Sequence, residues 1–161
     1  MTINDLIPYI RNAKIHDNNQ IKLIAESIKT FGFNQPIVID KNNEIIIGHG
    51  RYEASFSLGL NECKEAGYAP RGADFIPIVR LEDLTEEEVK ALRLADNKLN
   101  ESPWDMELVQ VDLQAISPEL KKISGFAMEE LEVELEDLKT SKKEEKPQTI
   151  ICPKCNHEFE K

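Results

Sequence analysis

Apolar positions recur at helical spacing from residue 21 onward, with Ile21, Ile24, Ala25 and Ile28 on one face. Asp17 or Asn18 supplies the N-cap and Gly32 the stop, so the pattern predicts a helix ending at about Phe31. The pattern then changes. Residues 36–40 and 44–47 are short runs rich in isoleucine and valine, separated by the turn-forming Lys41-Asn42-Asn43. They predict a hairpin whose strands are covered on both faces. Residues 75–80, FIPIVR, predict another strand, and Pro77 within it predicts an edge or irregular position. Residues 60–74 show no period and read as a long excursion, and a short strand followed by a loop is predicted around residues 5–7. Thr85 with Glu88 forms a capping box, and Leu84 with Val89 a hydrophobic staple, so a helix opens there with Val89, Leu92, Ala95 and Leu99 on one side. Residues 105–116 read as helical, with Leu108, Val111 and Leu113 packed, Pro103 at a first helical position and Trp104 as a packing anchor. Residues 118–125 predict a short turn or helix. An acidic helix over residues 126–138, carrying Leu131, Leu135 and Leu138, closes the pattern.

Between the second strand and the next apolar stripe lies Gly48-His49-Gly50-Arg51, with a helix predicted from about Tyr52 that turns Ala54, Phe56 and Leu58 inward. A strand feeding a Gly-rich turn and a helix start makes an anion pocket. The glycines let the backbone approach a ligand, and the first helical N–H groups have no partner within the helix. Arg51 adds a fork of donors that fits a phosphate. An ordinary glycine turn with Arg51 in a structural ion pair is the alternative. His49 could donate to a phosphate, Glu53 could hold Mg2+ or fix Arg51, and Lys98, Asn12 and Lys14 are weaker candidates for the rim. Arg71, flanked by Pro70 and Gly72, could contact a ligand, with a solvated surface charge as the commoner reading. Asp96 and Asn97 fall within a helix, where Asn is intrinsically disfavoured, which points to a specific role.

Composition narrows the function classes. The chain has 161 residues, 40% hydrophobic and 31% charged, which suits one globular domain with an appendage. No apolar run reaches the ~20 residues of a membrane span, and the N-terminus lacks a signal-peptide pattern, so a cytoplasmic protein without membrane contact is expected. The net charge of −10 is uneven: residues 1–80 hold nine basic and nine acidic residues, and the remainder carries the whole excess. DNA contact is therefore expected on the first half, because a duplex is bound by neutralising its phosphates. The predicted organisation is a domain over residues 1–100, a helical extension over 101–139, a charged linker over 140–149 and a cysteine tail over 150–161.

The tail holds Cys152-Pro153-Lys154-Cys155, the spacing of a zinc knuckle, with His157 as a third candidate ligand. A structural zinc site needs four ligands. Half a Zn2+ site completed by a second chain, which would make a homo-oligomer, an incomplete site, or a surface thiol pair all stay open. A redox role does not fit, since no thioredoxin-like context surrounds the pair.

Taken in order, LIPYIRNAKIH, FGFNQPIVID, EIIIGHGRYEAS and IPIVRLEDLTEEEVKALRLADNKL resemble the N-terminal domain of ParB-like proteins in the ParB/sulfiredoxin superfamily. The branch found in phages and mobile elements, often near DNA methyltransferases, looks most similar. The resemblance implies an α+β fold of short strands packed with helices, followed by C-terminal helices and the CxxC tail. It implies a nucleoside triphosphate ligand, CTP or ATP, with Mg2+. It places Gly48, His49, Gly50 and Arg51 at the family's phosphate motif, Gln35 in its first box, and Asp96 and Asn97 at its acidic-Asn motif. It also suggests a DNA methyltransferase or another protein as partner. His49 stands where chromosome-segregation relatives carry Glu, and one Arg where they carry two, so binding is implied rather than hydrolysis. The sulfiredoxin cysteine is missing, which argues against sulfinic acid reduction. A metal-dependent DNA nuclease using the same pocket and a non-enzymatic adaptor are the alternatives.

Overall fold

The computed structural model describes residues 1–12, 17–126, 149–151 and 158–160. Asp17 starts the first helix, α1 (Asn18–Phe31), by accepting the Gln20 N–H at 2.7 Å. Gly32 ends it at φ +87°, and only glycine fits. A Cβ there would lie 2.7 Å from both the Ala69 carbonyl oxygen and the Arg71 nitrogen, so the missing side chain lets the segment after β3 pass the helix end.

Strands β1 (Ile37–Asp40) and β2 (Ile45–Ile47) form the antiparallel hairpin, closed by Asn43 at φ +66° and by Asp40, whose side chain accepts from the Asn42 and Glu44 N–H groups at 2.8 Å each. Helix α2 (His49–Ser57) follows, then β3 (Glu62–Glu65), β4 (Phe75–Leu81) and α3 (Glu86–Leu99). The sheet order is β2-β1-β4-β3, with β4 parallel to both neighbours. Ile37, Ile39, Ile45, Ile76 and Ile78 are at most 1% exposed. Each contributes about 1.5–3 kcal/mol by leaving water. Val38 and Asp40 on the opposite face of β1 stay half-exposed, so that strand is covered fully on one face only.

Several sequence expectations change. Residues 5–7 are not a strand. Ile3–Asp5 form a 3-10 turn capped by Thr2 and Asp5, and the segment bridges both sheet edges, Thr2 to Glu62 on β3 and Ile7 to Glu44 just before β2. It buries Ile3 and Leu6 and leaves neither edge bare. The excursion at 60–74 contains β3, and β4 is therefore an interior strand despite Pro77. The Ile78 carbonyl accepts from the Ala66 N–H at 3.1 Å, so Ile78 faces β3 and Pro77 faces β1. The β1 ladder begins only at Ile37 opposite Ile78, one residue beyond Pro77, and the proline removes no ladder bond. Helix α2 begins at His49 rather than Tyr52. It turns Ala54 and Ser55 inward and leaves Phe56 50% exposed, because Phe56 lies two residues from Ala54, on the other side of the helix. On α3, Leu99 is 79% exposed and Arg93 is buried in its stead.

Two compact units divide the chain, Met1–Pro103 with Pro118–Gly125, and Trp104–Ser117 with Phe126–Lys161. The first also contains α5 (Pro118–Ile123). In the second, α4 (Met106–Ala115) is capped by Asp105, so Pro103 lies outside the helix. Val109 and Leu113 are the buried pair, while Leu108 and Val111 are more than 60% exposed. Trp104 is 70% exposed, its ring set edge-on to Phe126 at 5.3 Å. It covers one phenyl ring rather than anchoring a core. Strands β5 (Thr149–Ile151) and β6 (Glu158–Glu160) pair antiparallel. All but Phe126 of the acidic helix expected over residues 126–138, most of the linker, and Cys152, Cys155 and His157 lie outside the described residues.

Candidate functional site

Gly48 decides the geometry of the site. It sits at φ +102°, ψ +28°, a left-handed conformation that reverses the chain from β2 straight into α2. A Cβ there would lie 3.3 Å from both Nε and Nη2 of Arg51, so the glycine also makes room for the guanidinium. The first intrahelical bond runs from the Tyr52 N–H to the Gly48 carbonyl at 2.9 Å. The N–H groups of His49, Gly50 and Arg51 therefore form the N-terminal turn, the end that carries the helix's partial positive charge.

Arg51 is pinned from outside the helix. Its Nη1 donates to Gln35 Oε1 at 2.7 Å and its Nη2 to the Pro36 carbonyl at 3.4 Å. Its Nε is buried without a partner among the described residues. Burial lowers the Arg51 pKa and the charge of Asp96 works against that shift. An arginine stays protonated under such a shift, so the site carries a partly desolvated cation with a donor to spare. Below it, Ser55 Oγ donates to the Arg51 carbonyl at 2.8 Å and ties the helix turn together.

His49 is 8% exposed, and its Nε2 accepts the Tyr9 N–H at 3.1 Å. Only the unprotonated nitrogen can accept, so this imidazole links the α2 start to the loop at residues 8–12. Asn97 Nδ2 donates to the Arg93 carbonyl at 2.9 Å, a bond back to its own helix. Asp96, one residue earlier, faces Arg51 electrostatically.

These residues surround one cleft of about 710 Å3. Gln35, Gly48, His49, Gly50, Arg51, Asp96 and Asn97 all line it, and so does Asn12. The structure thus brings all seven candidate nucleotide-site residues together. Three others do not join them. Glu53 and Arg71 are exposed and off the lining, and Lys98 pairs with Glu101 at 2.6 Å outside the cleft. Lys14 lies outside the described residues. The opposite wall was not read from the sequence. It comes from α1, through Asn19, Gln20, Leu23, Ile24 and Ser27, and from Ile123, Ser124 and Gly125 after α5. No local signal marked residues 123–125.

The lining charges are Arg51 against Asp17 and Asp96. Among the described residues no three of His, Cys, Asp and Glu converge on a point that could hold a metal. An all-protein cage for Mg2+ does not fit there, whereas a single carboxylate such as Asp96 fits an ion carried largely by phosphates and water.

The second buried cation, Arg93, was not anticipated. It is 6% exposed, with Nη2 on Glu44 Oε1 at 2.9 Å and on the Ile45 carbonyl at 3.1 Å. Its guanidinium lies 3.6 Å from the centre of the Tyr9 ring. This ties α3, one turn before Asp96, to β2 and to the loop that His49 also holds.

Residues 1–98 match the ParB N-terminal domain. The chain is 36% identical over 86 residues, covering 53% of its own length and 84% of the relative's, to the ParB-like nuclease domain-containing protein YnaK of Escherichia coli (strain K12). Among solved structures it is similar to the C-terminally truncated chromosome-partitioning protein ParB of Caulobacter crescentus complexed with CTP-gamma-S, with a TM-score of 0.55 at 16% identity. That likeness is one of fold, and it covers 74% of this chain but only 62% of the other. The matched residues contain the whole four-stranded sheet, the Gly48 turn and Asp96 with Asn97, and the chain belongs to the ParB N-terminal domain family.

Proposed function

We propose that this protein binds a nucleotide, with a phosphate on the first turn of α2 between Gly48 and Arg51, and that it acts in DNA transactions of a phage or mobile element. The observation that carries the reading is the α2 start itself. A left-handed glycine opens the helix into a cleft of about 710 Å3 beside an arginine that Gln35 holds and whose Nε lacks a partner among the described residues. The Caulobacter ParB of the same fold was solved with CTP-gamma-S, which supports CTP, and ATP rests on the sequence resemblance. Asp96 and Asn97 line the same cleft, and in this reading Asp96 would share a phosphate-bound Mg2+. The phage assignment rests on the sequence resemblance. A panel of nucleotides with Mg2+ in a thermal-shift assay tests the reading. CTP or ATP should raise Tm in the wild type and not in Arg51→Ala, and a panel without any such ligand would sink it.

A nuclease reading has one observation in its favour, the name of the E. coli relative. It requires metal-dependent cleavage of a plasmid that Asp96→Ala abolishes. An adaptor role toward a DNA methyltransferase or another protein, and Zn2+ at Cys152, Cys155 and His157, rest on the sequence alone. Deleting residues 140–161 and measuring bound metal by mass spectrometry tests both.

A further inference from the structure

A second cleft, of about 480 Å3, adjoins the first, and Asn12 and Asn97 line both. The two differ in charge. Among the described residues, the first cleft has one arginine against two carboxylates, whereas the second is lined by Arg11, Lys90, Arg93 and Lys98 against Glu101. Arg93 is occupied by Glu44 and Lys98 by Glu101, but Arg11 and Lys90 are exposed and make no ion pair among the described residues. The cations that a second phosphate would need are therefore in the second cleft. Its wall is also apolar. Leu94 is 64% exposed there, and Tyr9 forms part of the lining with its ring held by Arg93. A bare polyphosphate needs no apolar wall, whereas a further nucleotide unit uses both a cation for its phosphate and an apolar surface for its base or sugar.

We propose that the second cleft is a phosphate subsite for the nucleotide unit next to the one in the first cleft, so that the ligand spanning both is a short single strand of nucleic acid. The proposal rests on the first-cleft reading and extends it. Arg11 and Lys90 take the phosphodiester, Leu94 and Tyr9 flank the sugar or base, and Asn12 and Asn97 stand where the strand crosses from one cleft to the other.

The experiment compares the full chain with Arg11→Gln/Lys90→Gln by calorimetric titration with CMP, CTP and a single-stranded trinucleotide. The trinucleotide should bind the wild type about tenfold or more tightly than CMP, and the double variant should lose that gain while binding CMP unchanged. The salt dependence of trinucleotide binding should also flatten by about 0.7 in log–log slope, for the one phosphate no longer neutralised. Equal affinity of the wild type for CMP and trinucleotide would overturn the proposal, as would a double variant that binds the trinucleotide as the wild type does. A gain seen with CTP and not with the trinucleotide would overturn it in favour of a polyphosphate tail. Failure of the wild type to bind CMP or CTP, with trinucleotide binding that still depends on Arg11 and Lys90, would contradict the first-cleft reading and leave the second cleft supported.

Discussion

Helices α2 and α3 both border the cleft at the Gly48 turn, and they reach it by opposite means. Helix α2 is placed by backbone. A left-handed Gly48 sets its direction, and the wholly buried Ala54 and Ser55 let it lie close to the sheet. Helix α3 is placed by a long side chain, since Arg93 reaches back to Glu44 and the Ile45 carbonyl and stacks on Tyr9. Backbone placement leaves its mark in neighbouring residues. Placement by a buried ion pair depends on partners 49 positions apart in sequence, and no window of sequence contains both. The site is accordingly rigid in two ways, one set by conformational restriction and one by electrostatics, and different substitutions break each.

The largest expected effect is on the α3 side. Glu44→Ala leaves Arg93 buried without its carboxylate, a loss of about 3 kcal/mol, at the low end for a broken buried pair because Glu44 itself stays partly in water. Arg93→Met combined with Glu44→Ala should recover most of that loss, because an uncharged side chain of similar reach fills the space. Urea unfolding of both variants checks this, and a double variant as unstable as Glu44→Ala would show that the ion pair does not place α3. Gly48→Ala breaks the α2 side. The left-handed conformation costs a residue with a Cβ about 1–2 kcal/mol, and the crowded guanidinium must also shift, so nucleotide affinity should fall along with stability. Thr85→Ala, at the far end of α3, removes the capping box and should cost about 1 kcal/mol without changing nucleotide affinity. A Thr85→Ala variant that lost nucleotide binding would mean that the cleft depends on α3 as a whole rather than on Arg93.

The same contrast explains what was legible in the sequence. The caps of α1 and α3, the hairpin of β1 and β2, and the glycine turn are local, and their residues stand beside one another. Strand β3 was missed because Glu62–Glu65 offers only Cys63 as an inward apolar residue, and its pairing with β4 makes it a strand. Pro77 argued for an edge, and only the stagger of β1 against β4 shows why it is tolerated inside. On α4, Leu113 is buried as expected, but Val109 takes the inward place given to Leu108 and Val111, because apolar residues at positions 108, 109, 111 and 113 fit two faces equally well. In the cleft, the residues from glycine and Asp-Asn motifs were readable. The α1 wall, the turn after α5 and Arg93 were not, since each acquires its role from tertiary contact.

The central claim is that a nucleotide phosphate sits on the first turn of α2. Backbone amide shifts during titration with CTP or ATP and Mg2+ test it most directly. The account predicts the largest shifts at Gly48, His49, Gly50 and Arg51, with smaller ones at Asp96 and Asn97, and their loss in Arg51→Ala. Saturable binding that leaves the amides of residues 48–51 unmoved would contradict it.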